Sequence, residues 1–122
     1  MSNTTRITFA LHAFVAFVLG LPLLLAPGRA LDVIEWAPID PILTRMLGAA
    51  LLALAWSSFR GWRAEAWDQV DYLVELEIIF TVLSAVGIIR HLLVATYPWY
   101  IWTLLVILVL FAIAWIVALV KK

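Results

Sequence analysis

The sequence contains no cysteine. That excludes disulfides, thiolate catalysis, Cys-ligated zinc and iron–sulfur clusters. Charge is scarce as well. Only 13% of the 122 residues are charged, against ~25% in a soluble domain. Eight basic and eight acidic residues cancel. No run of Lys and Arg forms the footprint that nucleic acid requires, so no nucleic-acid partner is expected. The chain has no Ser-His-Asp order, no metal-ligand spacing and no Gly-rich phosphate loop. It therefore reads as non-enzymatic and without a metal site, with its cofactors unassigned. There is no long linker, low-complexity tract or clear repeat.

What is present is apolar. Hydrophobic residues make up 66% of the chain, and the mean hydropathy is +1.10. A protein of this size cannot hide that much apolar surface in one core. The remaining solvent is lipid, so the sequence describes an integral membrane protein.

A helical span takes ~20 mainly apolar residues. Residues 7–26 form one such run, broken only by His12 and stopped by Pro27 and Gly28. This run is long enough to span, and it lacks a good cleavage site, so it reads as a retained helix rather than a signal peptide. Residues 98–120 form another, with no charge before Lys121 and Lys122. Residues 42–59 carry Thr44 and Arg45 near their start, and Arg45 can snorkel to the headgroups. Asp40 and Pro41 before them suit an N-cap and a first helical position. Residues 72–90 carry Glu75 and Glu77. Both middle runs are read as spans, because half-inserted segments would expose backbone to lipid. The expected fold is all-α, a single four-transmembrane-helix bundle. Within 28–40, apolar residues at helical spacing suggest a short interfacial helix over about 29–37. Residues 60–71 read as a solvated loop or helix extension, and 91–98 as a tight turn.

With four spans both termini share a side. That side holds Arg6, Arg60, Arg63, Lys121 and Lys122; the other holds Arg29, Arg45 and Arg90. The basic excess places both termini in the cytoplasm, in a bacterial or archaeal cell inner membrane. The seven tryptophans read as interface anchors, with Trp62 and Trp67 inside and Trp36, Trp99 and Trp102 near the outer face.

The acids of "DYLVELEIIF" (71–80) pose the chemical question. At 100° per residue, Asp68, Asp71 and Glu75 share one face of the third span, and Glu77 points almost oppositely. Thr81, Ser84, Ile88 and His91 follow Glu77 at spacings of four, three, four and three, which gives a polar track. An acid at the centre of a span costs ~2.5–3.5 kcal/mol, so such residues face protein or water and find partners. The first span offers one face with Thr5, Thr8 and His12, and a contact between His12 and one of the glutamates is expected. His12, Glu75, Glu77, Thr81, Ser84 and His91 are thus the ligand-binding or proton-accepting candidates; equally, they could only tie helices together. The two histidines lie near opposite membrane faces in this topology, so they cannot ligate one haem within a chain. Arg45, Arg90 and His91 read as interface-level groups, with Glu35 or Asp40 as partners for the arginines. Ala49, Ala53, Ser57 and Gly61 recur every fourth residue on the second span, and Ala16/Gly20 and Ala114/Ala118 repeat that spacing. Small residues of this kind let helices approach closely in lipid, either within the chain or at an interface to another chain; internal packing is the expectation, because four helices must first pack on each other.

The segment "DPILTRMLGAALLALAW" (40–56), an Asp-Pro start leading into an Arg and a Gly-Ala-rich second helix, resembles an element of small four-helix bacterial membrane proteins of the DoxX-like sort. The resemblance implies a four-span fold and carries no functional residue across. Three functions compete. One is a non-catalytic accessory or scaffold subunit of a larger membrane complex, for which small loops and the lack of a motif speak. The second is a binder of a hydrophobic small molecule such as a quinone or lipid. The third is a small proton-coupled transporter working as a homo-oligomer. The last is similar to the small multidrug transporters, but those place their key glutamate in the first helix, and here the acids are in the third.

Overall fold

The computed structural model describes residues 1–36 and 40–122. Ala37, the end of the expected interfacial helix, lies outside them. The described chain is all-helical. Its order is α1 (Asn3–Leu25), α2 (Pro27–Val33), α3 (Pro41–Arg63), a single 3-10 turn (Trp67–Gln69), α4 (Asp71–Val94) and α5 (Trp99–Val120). The four long helices have 22 to 24 residues each and are apolar enough to cross a membrane. At 1.5 Å per residue they reach about 33–36 Å, against a hydrocarbon core of about 30 Å. The protein is a multi-pass membrane protein.

Local signals set the helix ends. Ser2 caps α1: its Oγ accepts the Thr5 N–H at 3.2 Å, two residues beyond the first helical position. Asp40 caps α3, with Oδ1 accepting the N–H groups of Ile42 at 2.9 Å and Leu43 at 3.1 Å. Pro41 fills the next position, where no N–H is needed. Pro27 serves twice, ending the path of α1 and opening α2. The short helix expected over about 29–37 runs over Pro27–Val33. It closes with two backbone bonds, Glu35 N–H to Asp32 C=O and Trp36 N–H to Leu31 C=O, the Schellman pattern. Glu35 takes the left-handed conformation there, with φ 56°. Glycine usually occupies that position because a Cβ crowds the following carbonyl.

The chain forms two compact units, one of residues 9–63 and one of residues 1–8 with 64–122. In the first, α1 and α3 pack antiparallel: Phe9 meets Gly61, and Gly20 and Leu24 meet Gly48. At the Gly20–Gly48 crossing the backbones themselves touch. A Cβ on Gly48 would lie 2.5 Å from Leu24 N and 2.8 Å from Gly20 O. The buried residues of α3 are Gly48, Ala55, Ser58 and Gly61. The every-fourth-residue stripe expected from the sequence is thus not the face that packs within the chain. Ala49 and Ala53 are exposed and Ser57 is half-buried; of that stripe only Gly61 is buried. Steps of four rotate one way around a helix and steps of three the other. The face was chosen by what α1 presents, namely Phe9, His12, Ala16 and Gly20, all buried.

In the second unit α4 packs along α5. The buried stripe of α4 is Val74, Glu77, Thr81 and Ala85. That of α5 is Ile101, Leu105, Ala112, Trp115 and Ala118. Both keep the three, four and seven spacings of a single helical face.

Candidate functional site

Arg45 stands one turn into α3 and donates through NH1 to the Leu24 carbonyl at 2.6 Å. That carbonyl is in the last turn of α1, where the final four C=O groups lack an intrahelical partner. A cation is favourable there, since the helix dipole leaves negative charge at its C-terminus. The side chain thus closes the end of the neighbouring helix. The acids expected as its partners are placed otherwise: Asp40 caps α3, and Glu35 sits in the turn after α2.

His12 and Ser58 form a second link between α1 and α3. His12 Nδ1 and Ser58 Oγ are 2.7 Å apart, and both residues are buried. Which atom donates depends on the imidazole tautomer. A serine beside a histidine is the pairing that activates a nucleophile. Here the hydroxyl has no exposed surface, and the bond joins α1 to α3. Thr5 and Thr8, read as sharing the His12 face, are buried as well. The Thr8 hydroxyl donates to the Thr4 carbonyl at 2.8 Å. Ser58 is the site residue the sequence did not disclose; it is separated from His12 by 46 positions, and no local pattern couples them.

The second polar group lies on α4, in the other unit. Glu77 has no exposed surface, and both carboxylate oxygens are covered. Thr81 is buried with it. Its hydroxyl donates to the Glu77 carbonyl at 2.7 Å and shares the proton with Ile78 C=O at 3.2 Å. Bonding back to its own helix lets a hydroxyl sit in an apolar setting without an outside partner. Glu75, two residues from Glu77 and ~200° away around the helix, is exposed. The rest of the track thins out: Ser84 is half-buried and His91 exposed, its ring edge-on to Tyr97 with centroids 6.3 Å apart. The structure therefore buries Glu77 and Thr81 on one stripe of α4, joins His12 to Ser58, and leaves Glu75 and His91 on the surface. Among the described residues no group of three or more acidic or imidazole side chains is placed to hold a metal ion.

No family model matches the chain, and comparison with curated proteins and with solved structures finds no match.

Proposed function

We propose that this chain is a non-catalytic membrane subunit, of the DoxX-like four-span layout, that serves as an accessory or scaffold element within a larger membrane complex. The carrying observation is how its intramembrane polar groups are used. His12 and Ser58 bond helix to helix, Arg45 closes the end of α1, and Thr8 and Thr81 bond to their own backbone. Interhelical polar bonds of this kind hold a membrane fold together, and the four spans leave only short connections for any soluble machinery. Both termini face the cytoplasm of a bacterial or archaeal cell, which the basic excess supports.

Extraction of native membranes into polymer-bounded lipid discs, followed by mass measurement, tests the reading. The expected result is a heteromeric particle of fixed stoichiometry that survives a second separation. A lone copy or homodimer carrying one equivalent of an organic molecule would refute it. Cysteines placed at Ser2 and Lys122 of intact cells should resist a membrane-impermeant thiol reagent, while one at Gly28 reacts.

A second reading, a quinone or lipid binder or a proton-coupled homo-oligomeric transporter, is favoured by Glu77 alone. A carboxyl group with no exposed surface in a span is expensive and characteristic of ion and ligand paths. Glu77→Gln separates the two. Under the scaffold reading the heteromeric particle persists; under the other the variant assembles but loses its bound molecule or its uptake.

A further inference from the structure

The C-terminal half of α3 carries three aromatic side chains in series. The Trp56 and Phe59 rings lie 5.7 Å apart with an interplanar angle of 32°. Phe59 and Trp62 lie 5.9 Å apart at 46°. Residues three apart are neighbours on a helix surface, so the rings form a ladder rising about 9 Å along the axis. All three face outward, with 62%, 36% and 43% of their surface exposed. Trp56 and Phe59 fall within the apolar run 42–59, where the outer surface of a spanning helix faces lipid chains, and Trp62 falls at its boundary.

The foot of the ladder is cationic. Arg60 and Arg63 occupy the last turn of α3, and both are exposed. At 100° per residue Arg63 falls within about 20° of Trp56 and about 40° of Phe59, two turns below Trp56. Arg60 stands about 60° further round. The helix carries no Asp or Glu anywhere along its length. A guanidinium is planar, permanently charged and matched to two oxygens of one phosphate. The face thus offers two phosphate-binding heads at the membrane boundary and the Trp56 and Phe59 rings leading inward from them, while Trp62 lies level with the arginines.

We propose that this face of α3 binds one anionic phospholipid, its phosphate on Arg60 and Arg63 and its acyl chains along Trp56 and Phe59. A second copy of the chain fits the face poorly. A two-fold contact between copies sharing one membrane orientation places the arginines of one against those of the other, and like charges brought together are costly. A zwitterionic lipid brings its own ammonium group, which competes with the guanidinium groups for the phosphate. The site is independent of the accessory role proposed above.

The full chain in detergent is titrated with phosphatidylglycerol and with phosphatidylcholine of the same acyl chains, and bound lipid is counted by native mass spectrometry. The wild-type protein should prefer phosphatidylglycerol. Arg60→Gln with Arg63→Gln should reduce that preference by about fivefold per arginine removed, while Lys121→Gln with Lys122→Gln leaves it unchanged. Phosphatidylglycerol brominated along its chains should quench tryptophan emission, and Trp56→Leu should lower the quenched fraction. Equal binding of the two lipids by the wild-type chain overturns the proposal without recourse to any variant. So does a preference that survives loss of both arginines. A homodimer that Trp56→Leu dissociates, with no lipid retained, assigns the face to a second copy and overturns it too.

Discussion

Replacing Gly48 by alanine adds one methyl group at the tightest point of the α1–α3 crossing. Its Cβ would stand 2.5 Å from Leu24 N, 2.8 Å from Gly20 O and 3.0 Å from Leu23 C. Ordinary contact begins near 3.4 Å, so the helices must separate by about 1 Å or the methyl must deform them. All three atoms are backbone, and no side-chain rotation relieves them. Overpacking of this kind costs about 1–3 kcal/mol. Alanine also favours a helix over glycine by about 1 kcal/mol, which offsets part of the clash. Gly87 separates the two effects, because a Cβ there meets nothing within 4 Å. Gly87→Ala should gain up to about 1 kcal/mol from propensity alone. Gly48→Ala should therefore fall about 1–3 kcal/mol below Gly87→Ala in reversible unfolding by SDS from mixed micelles. The Arg45 bond to Leu24 sits beside the inserted methyl and should loosen with it, which adds to the loss. If the two alanine variants are equally stable, the close approach of α1 and α3 is refuted.

Three other substitutions test separate features by the same unfolding measurement. Ser58→Ala removes the bond to His12 and should cost about 0.6–1.7 kcal/mol, the range for interhelical polar contacts in lipid; an unchanged midpoint argues against the bond. Glu35→Gly should stabilise by about 1 kcal/mol by removing a Cβ from the left-handed region, whereas Glu35→Ala should not; equal effects would show that φ is not positive there. Ala53→Leu adds bulk to an exposed position and should change stability by no more than about 0.5 kcal/mol; a large loss would restore the four-residue stripe as the packed face.

The parts of this fold that could be read from sequence are those decided by nearby residues. The four spans follow from length and hydropathy alone, because lipid forbids unpaired backbone and leaves the helix as the solution. Asp40 and Pro41 announced the start of α3, since a cap is made with the two or three residues that follow it. Helical periodicity separated Glu77 from Glu75, and the structure buries the first and exposes the second. It also grouped Thr5, Thr8 and His12 on one face, and all three are buried. What depended on another helix was hidden. The stripe of Ala49, Ala53, Ser57 and Gly61 was the candidate for packing, and only the surface of α1 selects instead the one with Gly48, Ala55, Ser58 and Gly61. Arg45 looked like a snorkelling side chain in search of an acid. Its partner is a carbonyl, a group every residue has and no pattern can single out.

The His12–Ser58 bond also orders events in time. The two residues are 46 positions apart in the chain. At a synthesis rate of 5–20 residues per second, about 2–9 s pass between them. Throughout that interval the imidazole of His12 has no Ser58 to receive it, and the Gly20 notch waits until Gly48 is made. The same delay applies to the end of α1, since Arg45 follows Leu24 by 21 positions and arrives about 1–4 s later. Arg45 precedes Ser58 in the chain, so the far end of the α1–α3 hairpin can close first. The hairpin then zips back toward the N-terminus as Gly48, Ser58 and Gly61 emerge in turn. Anything that shields His12 in the meantime, whether a membrane insertase or a bound lipid, must let go before Ser58 can take its place.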